Sequence, residues 1–211
     1  MIEIINVSKK YKNNVLFKNL NIQLNDKSIK IKGQNGSGKS VLLKMIVGFS
    51  MPDEGEIIVD GIKLHEDGDF IGDAGITINA PEFMKNYSGM DNLLYLAKIK
   101  GIDSMDRINE LVKLFGLEND INKKYKTYSL GMKQKMRIIQ ALIDNPRYLI
   151  LDEPFDALDK TNKALLKEYL LKYLNEDDKR QLIYTSHEEE DDSFAERIYE
   201  IDDYNLKLFK W

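Results

Sequence analysis

The sequence predicts a single α/β domain, 1–211, with an antiparallel β layer at its N-terminal end and an inserted α-helical subdomain at about 82–145. Three observations favour this architecture. Apolar and polar residues alternate near the N-terminus, a glycine-rich stretch follows a short apolar strand, and the middle third of the chain repeats apolar residues at helical spacing. A length of 211 residues with 43% hydrophobic content is enough to bury one sizeable core.

The first half of the chain is dominated by strand signals. Apolar residues alternate in 2–7 and again in 20–24, which predicts two strands of the antiparallel layer, with turns at 12–14 and 25–26. The next predicted elements are a strand at 28–32, a helix at 40–47 that ends at Gly48, and strands at 55–61 and 75–79.

The second half begins with helices and returns to alternating strands and helices. Apolar spacing predicts helices at 91–100, 108–115 and 132–143, then a strand at 148–151, a helix at 165–174, a strand at 182–186 and a closing hairpin of 198–201 with 206–209. The five consecutive acids at 188–192 are predicted to be a solvated helix start.

The composition excludes several classes of protein. A net charge of −4 disfavours binding to nucleic acid or to an anionic membrane surface. The absence of cysteine excludes disulfides and thiolate metal sites and fits a reducing compartment. The N-terminus has the pattern of a strand and not of a signal peptide, and no apolar stretch approaches the ~20 residues of a membrane helix. These features predict a cytoplasmic protein.

The stretch GQNGSGKS, residues 33–40, matches the phosphate-binding P-loop pattern in full. It lies between a predicted strand and a predicted helix, where its backbone N–H groups and the positive helix end would face phosphate oxygens. Lys39 would reach the β and γ phosphates of a nucleotide, and the Ser40 hydroxyl would bind Mg²⁺. The pattern predicts a P-loop NTPase core of the RecA-like type.

A second motif, YLILDE at 148–153, is an apolar strand that ends in two acids. A buried strand that carries Asp152 to its carboxyl end suits the second motif of P-loop enzymes, in which this residue holds the Mg²⁺ ion. Glu153 would lie beside the γ phosphate and polarise the attacking water.

YSLGM, at 128–132 and about twenty residues before Asp152, resembles the signature of ATP-binding-cassette proteins, whose usual form is LSGGQ. Residues 157–159 resemble the D-loop of that family, His187 resembles its switch histidine, and Tyr11 lies where an aromatic residue stacks on adenine. The chain is identified on these motifs as a member of the ATP-binding-cassette ATPases.

The resemblance implies a role for each motif residue. It implies catalytic roles for Lys39, Glu153 and His187, and Mg²⁺ binding by Ser40, Asn79 and Asp152. In a head-to-tail dimer, Ser129 and Gly131 of each copy would close over the ATP held by the other, and Asp159 would cross the interface. The implied ATP-binding residues are Tyr11, Gly33, Asn35, Gly36, Ser37, Gly38, Lys39, Ser40, Val41, Ser129 and Gly131.

The sequence departs from the family pattern at three positions. Asn79 stands where the family usually carries a longer glutamine, and Leu130 and Met132 replace a glycine and a glutamine of the signature. The segments 80–93 and 128–137 are similar to cassettes of bacterial exporters for bacitracin and lantibiotics. This similarity implies a separate transmembrane permease as partner, a second copy or a paralogous cassette, and a position on the inner face of the cell membrane.

Three alternatives are weighed against a transport ATPase. A soluble cassette that acts on ribosomes or DNA usually has two cassettes or a long coiled-coil insertion, which this chain has no room for. A regulatory cassette would bind ATP without turnover, and Mg²⁺-dependent ATPase activity that Lys39→Ala abolishes would exclude it. A GTPase would carry an Asn-Lys-x-Asp motif, which is absent from the sequence.

Overall fold

A computed structural model describes residues 1–11, 14–79, 82–102 and 105–210. In these residues ten strands form two sheets: β1 (Ile2–Tyr11), β2 (Asn14–Leu24), β3 (Ser28–Lys32), β4 (Glu54–Val59), β5 (Ile62–Lys63), β6 (Ala74–Thr77), β7 (Tyr148–Leu151), β8 (Gln181–Thr185), β9 (Arg197–Asp202) and β10 (Asn205–Lys210). The helices are α1 (Lys39–Val47), α2 (Gly89–Ile99), α3 (Met105–Leu114), α4 (Leu130–Leu142) and α5 (Lys160–Glu176), with short 3-10 helices at Tyr125–Thr127 and Glu189–Phe194.

The two sheets have different topologies. The antiparallel sheet has the strand order β2-β1-β4-β5, and the larger sheet has the order β10-β9-β3-β8-β7-β6. In the larger sheet β9, β3, β8, β7 and β6 are parallel, and β10 pairs antiparallel with β9. The carboxyl ends of β3, β7 and β8 therefore meet at one edge, where ligands bind in open α/β sheets.

Apolar residues cover both faces of the larger sheet. In β7, Leu149 and Leu151 pack among the helices α2 to α5, whereas Tyr148 and Ile150 pack towards α1 and the antiparallel sheet. Successive side chains of a strand point to opposite faces, so a wholly buried strand joins both cores. The sheet is thus held rigidly between two apolar layers, and the loops at its carboxyl edge have a fixed base.

Local sequence explains where several elements begin and end. Gly48 ends α1 in the left-handed conformation, with φ of 87°, and a Cβ there would lie 2.2 Å from the Asp69 carbonyl oxygen. Only glycine fits at this position. At the start of α2, Ser88 and Asp91 form a reciprocal capping box.

The structure confirms the predicted bounds of the strands 28–32 and 148–151, and it confirms the closing hairpin, with each of its strands one residue longer at both ends than predicted. It extends others: α5 begins at Lys160, five residues before its predicted start, because the Asp159 carboxylate caps it. Asn14 belongs to β2 and not to a turn, whereas 12–13 of that predicted turn lie outside the described residues.

The prediction of a solvated acidic run at 188–192 is wrong in part. The segment enters a 3-10 helix, and two of its acids form ion pairs with lysines: Glu188 with Lys163, and Asp192 with the buried Lys30. Separately, none of the helices in the described ranges combines the length and the apolar character that crossing a membrane requires.

Candidate functional site

A cleft of about 600 Å³ lies at the carboxyl edge of the larger sheet. The loops that follow β3, β7 and β8 contribute to its walls, together with the end of β1. Most of the sequence-predicted site residues line it: Tyr11, Asn35, Gly36, Gly38, Lys39, Ser40, Val41, Asn79, Asp152, Glu153 and His187. The cleft therefore brings together motifs that are up to 176 residues apart in the chain (187 − 11).

The glycine-rich loop curls around the N-terminal end of α1. Gly36 and Gly38 have φ angles of 80° and 106°, which lie in the region that favours glycine. No side chain caps the helix at Gly38. The first N–H groups of α1 are left without intrahelical partners, so this end of the helix is suited to binding an anion.

The Lys39 side chain is folded over the loop at the base of the cleft. It is 7% exposed, and its Nζ donates to the carbonyl oxygens of Gly33 at 2.9 Å and Gln34 at 3.3 Å. The same Nζ lies 3.2 Å from His187 Nε2 and 3.7 Å from Glu153 Oε1. A fixed positive charge thus stands where the predicted nucleotide phosphates would lie.

Glu153 follows β7 directly after Asp152 and has a left-handed backbone, with φ of 49°. Its N–H donates to Thr185 Oγ1 at 2.9 Å, and the Thr185 hydroxyl donates to Asp152 Oδ1 at 2.8 Å. One buried threonine therefore fixes both acids. Sequence reasoning missed Thr185, although a polar residue at the end of an apolar strand and two positions before His187 is a usable signal.

The carboxyl group of Glu153 has an altered proton affinity. Burial raises the pKa of Glu153 to about 7, the neighbouring charges of Asp156 and Asp152 add to the rise, and Lys39 opposes it. Its Oε1 lies 2.9 Å from His187 Nε2, and its Oε2 is buried without a hydrogen-bond partner. A pKa near neutrality suits a general base, and the open oxygen is a position for water.

The three residues predicted to hold Mg²⁺ all line the cleft. Ser40, Asn79 and Asp152 offer a hydroxyl, an amide and a carboxylate oxygen, the ligand types that this cation prefers. The Asn79 backbone has φ of 55°, and its N–H lies 3.5 Å from Asp152 Oδ2. The donor set fits the ion, because all three residues line the cleft and carry side-chain oxygen donors.

Four predicted ATP-binding residues are not among those that line the cleft. The Gly33 carbonyl oxygen accepts from Lys39 Nζ, and Ser37 lines a second cavity that the β9–β10 hairpin helps to form. Ser129 and Gly131 lie at the start of α4. The Ser129 hydroxyl accepts from the Met132 N–H at 3.2 Å. Within one chain, the signature residues do not reach the site.

The signature helix nevertheless contacts the loop that follows β7 in its own chain. Gln134, buried on α4, donates through Nε2 to the carbonyl oxygens of Glu153 at 3.1 Å and Pro154 at 3.0 Å. A Cβ at Gly131 would lie 2.9 Å from the Ala157 carbonyl oxygen. Both Asp159 carboxylate oxygens are bound by Asn162, so in this structure that side chain serves its own helix.

Comparison with known proteins gives related sequences. The family model described as "ABC transporter" matches residues 17–156. The uncharacterised ABC transporter ATP-binding protein YybJ of Bacillus subtilis is 37% identical over 194 residues, which cover 90% of this chain and 87% of that protein. The bacitracin transport ATP-binding protein BcrA of Enterococcus faecalis is 31% identical over 83% of this chain, but the match spans only 58% of its length. The lantibiotic transport ATP-binding protein SrtF of Streptococcus pyogenes is 32% identical over 83% of this chain and 76% of its own.

Solved structures agree with these relatives. A dimeric structure of a post-hydrolysis state of the ATP-binding cassette MJ0796, bound to ADP and Pi, is 29% identical, with a TM-score of 0.85 over 100% of this chain and 98% of that one. A second dimeric structure of the same cassette is 28% identical, with a TM-score of 0.84 over 98% and 97% of the two chains. With a family model that covers well over half of its residues, this chain belongs to the ATP-binding-cassette transporter ATPases.

Proposed function

We propose that this chain is the ATP-hydrolysing subunit of a membrane exporter of antimicrobial peptides or similar drugs. The names of two relatives, a bacitracin and a lantibiotic transport ATP-binding protein, support this class of cargo. The membrane span belongs to a separate permease subunit, and the cassette binds it on the cytoplasmic face of the cell membrane. Residues 1–211 act as one nucleotide-binding unit, with the helical segment 82–145 as its subdomain.

The observation that supports this function most strongly is that Lys39, Glu153 and His187 lie together in one cleft, at the uncapped start of α1. Lys39 and the loop N–H groups bind the β and γ phosphates of ATP, and Tyr11 stacks on the adenine. Glu153 takes a proton from water as the water oxygen bonds to the γ phosphorus, and the bond to the bridging oxygen of ADP breaks. His187 orients Glu153 and contacts the γ phosphate.

Ser40, Asn79 and Asp152 would hold Mg²⁺ when nucleotide is bound, and the ion would supply positive charge that stabilises the phosphates. Asp152 is prepared for this role because the Thr185 hydroxyl fixes one of its oxygens. Asn79 lines the same cleft and has a left-handed backbone. In this proposal its shorter side chain takes the place of the glutamine that the family usually carries.

The site becomes complete in a head-to-tail dimer. Ser129 and Gly131 lie away from the cleft of their own chain, so they are free to bind the γ phosphate held by a second copy or a paralogous cassette. ATP closes this dimer, and hydrolysis removes the phosphate contact that differs between the closed and the open state. The resulting motion is passed to the permease.

The variant Glu153→Gln tests this function. The glutamine keeps the shape of the side chain but cannot accept the proton, so we expect the ATPase rate to fall about 10²- to 10⁴-fold while ATP still binds. The measurement is steady-state phosphate release beside equilibrium binding of ATP. Glu118→Gln makes the same change at an exposed position and keeps the wild-type rate. A Glu153→Gln enzyme that hydrolyses ATP at the wild-type rate contradicts the proposal.

A further inference from the structure

Lys30 is a charged residue at the centre of the larger sheet. It is 1% exposed, and its neighbours Ile29 and Ile31 pack towards α1, so its side chain projects from the opposite face of β3. A buried ammonium requires partners, because burial of an unpaired charge is costly. Its Nζ donates to the Glu188 carbonyl oxygen and to Asp192 Oδ1, both at 2.6 Å.

Both partners belong to the segment that follows His187. The β3–β8 ladder ends at the pair Ile31 and Thr185, so the described backbone pairing of the sheet does not extend to the histidine. Glu188, the next residue, is held instead by three groups: Lys30 binds its carbonyl, Lys163 of α5 pairs with its carboxylate, and its N–H donates to the Ser186 hydroxyl at 3.2 Å. Beyond the end of β8, these polar contacts hold the chain in place of the hydrogen bonds of the sheet.

The other end of the segment is fixed by aromatic packing. Phe194 stacks on Tyr184 with ring centroids 4.8 Å apart and meets Phe155 edge to face at 5.7 Å. Asp192 lies between this aromatic contact and His187, and its side chain is 18% exposed. A buried ion pair with Lys30 therefore determines where the chain between the two anchors runs.

We propose that Lys30 and Asp192 are positioning residues for catalysis, a proposal that rests on the role given to His187 above. Asp192 orients the ammonium group, and Lys30 holds the Glu188 carbonyl. This contact keeps the imidazole 2.9 Å from Glu153 Oε1 and 3.2 Å from Lys39 Nζ. Lys30 and Asp192 do not touch the nucleotide, so their effect falls on turnover and not on ATP affinity.

Three variants separate positioning from stability: Lys30→Met, Asp192→Asn and the double variant. Removal of one member of a buried pair leaves an uncompensated charge, whereas removal of both is often close to neutral for stability. We expect each single variant to lower Tm by about 5 °C or more, and the double variant to recover most of this loss. Lys32→Met is the matched control, since Lys32 lies on the same strand and is 22% exposed.

Turnover is expected to follow a different order from stability. Lys30→Met and the double variant both lack the donor to Glu188, so kcat falls about 10- to 100-fold in both, because small displacements of catalytic groups cost this much. The Kd for ATP stays within about twofold of wild type, as measured by titration. A double variant with wild-type kcat shows that the pair serves stability alone and overturns the proposal.

His187→Ala distinguishes this failure from a failure of the proposed function. A low kcat in His187→Ala beside a wild-type kcat in the double variant overturns the positioning pair and leaves the role of His187 intact. A wild-type kcat in His187→Ala contradicts the role of His187. The positioning role of Lys30 and Asp192 depends on that role, so it is then contradicted as well. A low kcat in both, with unchanged ATP affinity, supports the inference.

Discussion

The starts of helices α1 and α4 are both predicted to bind phosphate, but their N–H groups have different surroundings. The start of α1 follows Gly38, which offers no side-chain acceptor. The start of α4 follows Ser129, whose hydroxyl accepts from the Met132 N–H at 3.2 Å. An uncapped helix start depends on water or a ligand for its N–H groups, whereas a capped start is stable without one.

The neighbourhoods of the two helix starts differ as well. The start of α1 lies in the cleft with Lys39, Glu153 and His187. The start of α4 lies at the surface, and Leu130 in its first turn is 74% exposed. Of the two helix starts that are predicted to bind phosphate, the chain thus places one inside its own cleft and the other at its surface. This arrangement suits a site that two copies complete.

Lys39→Ala alters the helix start that lies inside the cleft, and its expected effect on the ATPase rate exceeds those of the changes at α4 and α2. The variant removes the fixed positive charge at the base of the cleft, so we expect ATPase activity to fall about 10³-fold. Steady-state phosphate release measures it. Lys113→Ala, on the exposed face of α3, keeps the wild-type rate. Activity near wild type in Lys39→Ala would show that α1 does not hold the nucleotide.

Ser129→Asp alters the exposed start of α4, and its expected effect on the ATPase rate is smaller than that of Lys39→Ala. Aspartate caps a helix as well as serine does, so α4 stays folded, but its charge repels the phosphate of a second copy. We expect an unchanged Tm and ATP affinity in the monomer, together with a fall in ATPase rate of about 10²-fold. A wild-type ATPase rate in this variant would show that Ser129 of the signature takes no part in the ATP site.

Ser88→Ala alters a third helix start, that of α2, and its expected effect is smaller than those of the variants at α1 and α4. Ser88 caps α2 through the Asp91 N–H at 3.0 Å, as Ser129 caps α4, but it takes no part in the proposed site. Loss of this cap costs about 1 kcal/mol, which lowers Tm by about 2–4 °C and leaves the ATPase rate unchanged. Thermal unfolding and phosphate release on one sample check both parts. A fall in rate without a fall in Tm would contradict the distinction between the two serine caps.

Local patterns predicted those parts of the fold that are determined locally. The strands 28–32 and 148–151 are short apolar runs beside motifs, so their bounds were predictable from sequence. The first turn of α5 was missed because its residues are polar and the Asp159 cap, not apolar spacing, starts the helix. The P-loop was equally predictable, since one continuous segment forms it.

Contacts between distant segments were not predictable in the same way. Lys30 meets Asp192 across 162 positions of sequence, and Gln134 meets the Glu153 carbonyl across 19. A lysine in an apolar strand and a glutamine in an amphipathic helix look like ordinary surface residues when read alone. Their roles depend on which strands are neighbours in the sheet, and that order is a property of the whole fold.

The association state of the ATP-bound protein shows whether a second copy completes the ATP site. The Glu153→Gln variant is mixed with ATP and Mg²⁺, and its molar mass is measured by light scattering during gel filtration. We predict that one chain of 24.5 kDa becomes a species of twice that mass, and that adding Ser129→Asp to the same variant returns it to one chain. A Glu153→Gln variant that binds ATP and yet keeps the mass of one chain would contradict the claim that a second copy completes the ATP site.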